Sequence, residues 1–235
     1  MMKTPQLTPR LQALADWVER GARAADIGTD HGYLPVWLVL CGRCSSAIAV
    51  DLRPGPLSRA KATAARYGVS DRIDLRLCDG LSGINPHEAD TIVVAGMGGE
   101  NIAAILKAAP WTADGCHRLL LQPMSRAEVL RGFLSAHGYR ITQERLVLDH
   151  GVLYPILLVL AGDMPLSAGQ RYGGAALTRD PLGDRYLMEQ IIRLQGAVAG
   201  LNRSGAPQDR EKADSLRDVL TSLLELREEW RHANG

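Results

Sequence analysis

Residues 139–161, YRITQERLVLDHGVLYPILLVLA, decide the fold. Two strand-like stretches, Tyr139–Leu148 and Val152–Ala161, are separated only by Asp149-His150-Gly151. So short a connection forces a β-hairpin, and therefore an antiparallel pair. Upstream the chain follows a different rule. Short apolar runs at Ala24–Gly28, Ser46–Asp51, Ile73–Leu77, Ala89–Ala95 and Arg118–Gln122 are each closed by glycine, proline or an acid. Helical stretches lie between them at Leu34–Cys41, Pro56–Tyr67, Asn101–Ala109 and Ala127–His137. Strands alternating with helices predict a parallel sheet covered on both faces. A mostly parallel, seven-stranded sheet that finishes in an antiparallel hairpin is a much narrower expectation than an α/β sheet in general.

The flanks extend this frame. Thr8-Pro9 has the form of a helix N-cap followed by proline at the first helical position. Leu7, Leu11, Leu14 and Val18 then recur at helical spacing, which predicts an amphipathic helix over 9–20. Residues 163–180 are rich in Gly, Pro and Ser and are expected to form a linker with one short helical turn. Beyond it, Leu187, Ile191, Leu194, Val198 and Leu201 make one apolar seam, and Leu216, Val219, Leu223, Leu226 and Trp230 make another. The run 202–207, Asn-Arg-Ser-Gly-Ala-Pro, separates them. Alternating steps of three and four are coiled-coil spacing, so an antiparallel helical hairpin standing off the sheet domain is expected. The alternative is that the two helices pack on the sheet as ordinary covering helices. The expected division is 1–163 for the α/β domain and 164–235 for linker and hairpin.

Composition sets outer bounds. The chain has 235 residues, a 46% hydrophobic share and a formal net charge of +1. These values suit a globular protein and do not by themselves advertise nucleic acid. The charge is uneven, however. Residues 1–70 hold nine Lys and Arg against five Asp and Glu, whereas residues 180–235 hold eight against ten. The polar opening has no secretory signature, and the longest apolar run, Leu153–Ala161, is too short for a bilayer. Cysteines at 41, 44, 78 and 116 form no disulfide framework, so a reducing cytoplasm is expected. Cys41 and Cys44 have C-x-x-C spacing, but no second pair completes a zinc site and no metal is expected.

Candidate site residues gather where strands end. The first sheet strand runs into Asp26-Ile27-Gly28-Thr29-Asp30-His31-Gly32-Tyr33. Glycines there let backbone approach a ligand, and a helix N-terminus follows. The spacing is D-x-G-x-x-x-G, not the G-x-G-x-x-G of dinucleotide sites. A carboxylate ahead of the glycines suits a cationic amino group better than a pyrophosphate, and S-adenosylmethionine carries such a group. The second strand ends in Asp51-Leu52, placing an acceptor for ribose hydroxyls. The third ends at Asp79-Gly80, where an acid can accept from an adenine amine. The fourth ends in Gly96-Met97-Gly98, where backbone can come close to a reacting methyl group.

The motifs "ADIGTDHGYLP", "GPLSRAK", "CDGL", "TIVVAGMGGENI" and "LLLQP", with Leu7-Thr8-Pro9-Arg10-Leu11 at the start, resemble the bacterial TrmK family. Members are tRNA adenine-N1 methyltransferases acting on adenine 22. The resemblance spans nearly the whole chain. It implies a class I methyltransferase, Rossmann-like fold with a C-terminal helical coiled-coil hairpin, S-adenosylmethionine as cofactor and tRNA as partner. Two positions depart from the family pattern: Met124 follows Pro123 where Asn is usual, and Pro155 follows Tyr154 where an acid is common.

On this reading Asp26, Gly28, Thr29, Gly32, Tyr33, Asp51, Leu52, Asp79, Gly80, Gly96, Met97 and Gly98 form the cofactor site. Asp30 is the first choice for stabilising charge at the target base, with His31 as relay; a cap for the following helix is the alternative for Asp30. Arg10, Arg23, Gln122 and Pro123 are assigned to substrate, and Arg53 and Arg59 are further candidates for phosphate contacts. Competing readings are a methyltransferase of proteins or small molecules, and a non-catalytic module that binds S-adenosylmethionine.

Overall fold

The computed structural model describes residues 4–204 and 206–235. One seven-stranded sheet has the order β3-β2-β1-β4-β5-β7-β6. Strands β1 (Ala24–Ile27), β2 (Ala47–Asp51), β3 (Ile73–Leu77), β4 (Thr91–Gly98) and β5 (Arg118–Ser125) are parallel. Strands β6 (Tyr139–Asp149) and β7 (Val152–Ala161) form the hairpin, with β7 inserted antiparallel beside β5. Its turn residues His150 and Gly151 have φ of 48° and 83°. Two consecutive positive φ values give the turn the hand that matches strand twist.

Helices α1 (Pro9–Trp17), α2 (Tyr33–Leu40), α3 (Pro54–Arg66), α4 (Gly99–Ala108) and α5 (Ala127–Ala136) cover both faces. The central strands are buried on both sides, so β1, β2 and the first half of β4 are almost continuously apolar. Helix α1 ends three residues earlier than its spacing predicts. Val18 turns to extended backbone and is fully buried, and Gly21 at φ 84° redirects the chain toward β1. Strand β4 runs three residues further than expected. Its pairing with β5 is irregular around Gly96 and Met97, a bulge made possible by Gly96 at φ 76°.

The region expected to be a linker is packed. It contains α6 (Ala168–Gly173), started by a capping box between Ser167 and Gln170. Arg131 and Glu144, both with fully buried side chains, pair at 2.7 Å beneath it. Arg131 donates to the carbonyls of Arg171 and Tyr172, and Glu144 accepts from the N–H groups of Ala175 and Ala176. A buried pair of this kind is tolerable only when its remaining polar atoms are also met, and residues 171–176 supply most of those partners.

Helices α7 (Gly183–Ser204) and α8 (Pro207–Asn234) are antiparallel, with Asp184 near one end of α7 bonded to Arg227 near the far end of α8. Their seam is an apolar cluster of its own, formed by Leu187, Ile191, Leu194, Val219 and Leu223. The root is tied to the sheet domain: Tyr186 packs with Leu146, Leu153 and Leu177, and Trp230 Nε1 donates to the Asp180 carbonyl at 3.0 Å. The hairpin thus combines a self-contained seam with a root seated on β6 and β7. No helix of the described residues is long and apolar enough to cross a membrane.

Candidate cofactor and substrate site

Strand order reverses between β1 and β4, and a parallel sheet binds ligands outside the carboxyl ends of its strands at such a point. Two hollows lie there. The first, about 440 Å³, is lined by Gly28, Asp51, Leu52, Cys78, Asp79, Gly80, Met97 and Ile105, among others. The second, about 390 Å³, is lined by Arg10, Asp26, Gly28, Thr29, Asp30, His31, Gly32, Tyr33, Gly96 and Met124, among others. Gly28 borders both. A Cβ on Gly28 would lie 2.1 Å from Met97 Cε, so the absent side chain is what lets Met97 reach across.

Local chemistry explains how each residue is presented. Gly28, at φ 80°, and Thr29 both donate to the Val50 carbonyl at 2.8 Å, folding the loop over the end of β2. Asp51 is nearly buried and accepts from the Arg53 N–H at 2.8 Å. Asp79 is exposed on the opposite lip. Gly80 needs its positive φ of 54° and stands against Ile105. Gly32 at φ 66° starts α2, and a Cβ there would meet Ala60 at 2.9 Å, locking the glycine loop to α3.

Asp26 occupies the second hollow beside a cluster of strands. Desolvation pushes its carboxyl up to about 6, with the neighbouring Thr29 hydroxyl acting against the shift and Asp51 adding to it. Asp30 is exposed and is held below the usual carboxylate range, first by its hydrogen bond from Arg59. His31 Nε2 lies 3.3 Å from the other Asp30 oxygen, and its ring stacks on Tyr33 at 5.5 Å. The glycine loop therefore offers an ionised acid and an aromatic face together.

The far wall joins three distant parts of the sequence. Arg10 Nε donates to Asp149 at 2.8 Å and Nη1 donates to Gln122 Oε1 at 2.8 Å. Gln122 is fully buried and Oε1 also accepts from the Gly96 N–H at 3.2 Å. The Arg10 guanidinium lies over the Tyr154 ring at 5.2 Å. Sequence reasoning missed Asp149 and Tyr154. Asp149 resembles a turn residue in the sequence, and only the hairpin's register carries it to α1.

Two assignments need correction. Arg23 precedes β1, so it lies at the opposite end of the sheet, paired with Asp90 at 3.1 Å and bonded to the His87 carbonyl. It lies outside both hollows. Gln122 has its oxygen shared by Gly96 and Arg10, and its amide donates to the Pro123 carbonyl at 2.9 Å, so its polar atoms are engaged within the wall. Pro123 is buried in β5. Arg59 is engaged with Asp30, while Arg53 projects from the rim of the first hollow and is 76% exposed. Cys41 and Cys44 are free thiols, and among the described residues no His, Cys, Asp and Glu cluster is arranged to hold a metal.

Comparison with known proteins gives the same frame. A family model described as "Methyltransferase domain" matches residues 7–157. The tRNA (adenine(22)-N(1))-methyltransferase of Bacillus subtilis is 39% identical over 234 residues, covering 96% of this chain and 98% of that one. The B. subtilis M1A22 tRNA methyltransferase TrmK structure superposes with a TM-score of 0.86 at 32% identity, over 94% of this chain and 99% of that one. A Streptococcus pneumoniae protein solved in complex with S-adenosyl-L-methionine matches with a TM-score of 0.82 at 32% identity, over 94% and 100%. With 39% identity over 96% of this chain to one relative and a shared fold with solved members, the chain belongs to the TrmK family of methyltransferases.

Proposed function

We infer that this chain is an S-adenosylmethionine-dependent enzyme that methylates N1 of adenine 22 in tRNA. The observation that carries the reading is the meeting of two differently furnished hollows at Gly28 and Met97. The first has the acceptors for a nucleoside: Asp51 for ribose hydroxyls and Asp79 for an exocyclic amine, with Leu52 and Ile105 as apolar walls. The second has what a separate base requires: a stacking surface at Tyr33 and His31, an acid at Asp30 and a guanidinium at Arg10. Asp26, with the Thr29 hydroxyl beside it in the lining, fits a cationic amino group and its polar neighbours.

S-adenosylmethionine supplies a methyl group carried on a cationic sulfur. Adenine N1 has a free lone pair at neutral pH, so no proton has to leave before attack. The residues' task is therefore alignment and compensation of charge. Gly96 and Met97 bring the end of β4 to the two hollows, and Asp30, kept ionised by Arg59, is the acid available to stabilise positive charge on a methylated base. The division of labour proposed is 1–163 for cofactor and chemistry and 164–235 for a hairpin that helps hold tRNA in the cytoplasm. The target's Watson–Crick edge has to be freed from folded tRNA and brought into the second hollow. Incubating the protein with unmodified tRNA and methyl-labelled S-adenosylmethionine, then digesting to nucleosides, tests this. Label in 1-methyladenosine is expected; label in another nucleoside or in protein contradicts it.

A further inference from the structure

We propose that Arg10 contributes to specificity by donating to a neutral ring nitrogen of the target base other than the N1 whose lone pair takes the methyl group, and that Asp149 and Gln122 are the positioning residues that aim it. The proposal rests on the tRNA reading above and adds which group touches the base and by what chemistry.

The guanidinium is fixed on three sides. Asp149 takes Nε, Gln122 takes Nη1, and the sulfur of Met124 lies 3.3 Å from Nη1. Tyr154 lies against its face. Nη2 has no hydrogen-bond partner among the described residues and is not among the enclosed polar atoms that lack one, so it retains access. Arg10 lines the second hollow, opposite the Tyr33 and His31 stack. A locked guanidinium with one free amino group is a directional donor. Arginine cannot accept, so a base edge presenting an amino group at that point is refused.

Gln122 makes this a measuring device. Its single oxygen holds both the Gly96 N–H and Arg10, so one buried side chain sets the spacing between the peptide at the junction of the hollows and the donor on the far wall. The charge balance selects a base over a phosphate. Asp149 is 3% exposed and is paired with Arg10 through one oxygen while its other oxygen meets His150 Nδ1 at 2.7 Å. Bringing a phosphate to this partly buried pair would leave net negative charge in the wall, whereas a ring nitrogen needs only a donor.

The test compares the full-length protein with Arg10→Lys, the pair Arg10→Gln/Asp149→Asn, Gln122→Glu and Gln122→Met. Arg10→Lys keeps the charge beside Asp149 but cannot hold the fork, and the double variant removes both charges together so that Asp149 is not stranded. Both are expected to lower kcat/KM for tRNA by about 10- to 100-fold, the size of one charge-assisted hydrogen bond. Affinity for S-adenosylmethionine should be unchanged. The slope of log K for tRNA against log salt should also be unchanged, because a base contact releases no counterion. A slope reduced by about 0.9, or full efficiency in Arg10→Lys, would mean a phosphate contact and overturns the proposal. Gln122→Met removes the shared acceptor and should lower kcat/KM for tRNA with affinity for S-adenosylmethionine unchanged, and unaltered kcat/KM in it removes the positioning role; Gln122→Glu keeps that acceptor but loses the donor to the Pro123 carbonyl, so activity above that of Gln122→Met supports the role. If the unaltered protein forms no 1-methyladenosine, the tRNA reading itself fails, and this is seen before any variant is made.

Discussion

At the scale of single residues, the site separates two carboxylates by environment. Asp26 is pushed up to about 6 by desolvation, while Arg59 holds Asp30 below the ordinary range. The sign for folding follows directly. In the folded chain Asp26 keeps its proton from the ordinary 3.8 to about 6, so its contribution to stability is full below that window and is lost as pH rises through it. Binding of a cation runs the other way, because it requires the carboxylate. Affinity for S-adenosylmethionine should therefore rise between about pH 5 and 7, and calorimetry on Asp26→Asn should show that step flattened. Asp51→Ala removes a charged acceptor and should weaken cofactor binding by roughly 1.5–3 kcal/mol, again by calorimetry; unchanged affinity would reduce Asp51 to a turn residue. Asp30→Asn should depress turnover at saturating cofactor while cofactor affinity holds. The acids at 26, 51 and 79 stood out in the sequence because Asp26 precedes the glycine loop that ends one apolar run, and Asp51 and Asp79 stand at the ends of the next two. Arg23 misled because it also adjoins β1, and adjacency in sequence does not tell which end of a strand a residue caps. Asp149 was hidden for the complementary reason: its partner Arg10 is 139 residues away.

At the scale of elements, the glycine loop and α3 are interlocked by one missing side chain. Gly32→Ala would need a left-handed residue and would press on Ala60, whose Cα is 3.0 Å from the added atom. The conformational part alone costs about 1–2 kcal/mol, so thermal unfolding should shift down and the pairing of Arg59 with Asp30 should loosen. The hairpin shows where periodicity stops being informative. The two seams were legible because spacings of three and four report a helix face directly. The packed state of residues 164–182 was not, because Gly, Pro and Ser mark a break in regular structure but say nothing about burial. What anchors that segment is the Arg131–Glu144 pair, two charges that in sequence look like exposed positions on α5 and β6. A chain ending near Leu166 removes four of that pair's hydrogen-bond partners and is expected to unfold cooperatively at lower temperature. Replacing 195–215 by a short turn keeps the root and should leave folding and cofactor binding intact. Loss of cofactor binding in that shortened chain would show the distal hairpin to be part of the main fold.

At the scale of the whole molecule, a mostly parallel sheet places a two-part site at its topological switch, and a rooted hairpin extends from the β6–β7 side. Fold and cofactor class were readable because each depends on local punctuation: strand ends, glycines and one two-residue turn. The far wall was not, since it is assembled by sheet order from α1, β4, β5 and the β6–β7 hairpin. The central claim is that these parts methylate one adenine in tRNA. The most direct measurement is labelled methyl incorporation into two unmodified tRNA transcripts that differ only in adenine or guanine at position 22. The account predicts about one methyl per molecule, as 1-methyladenosine, in the first and background in the second. Equal incorporation into both transcripts would contradict it.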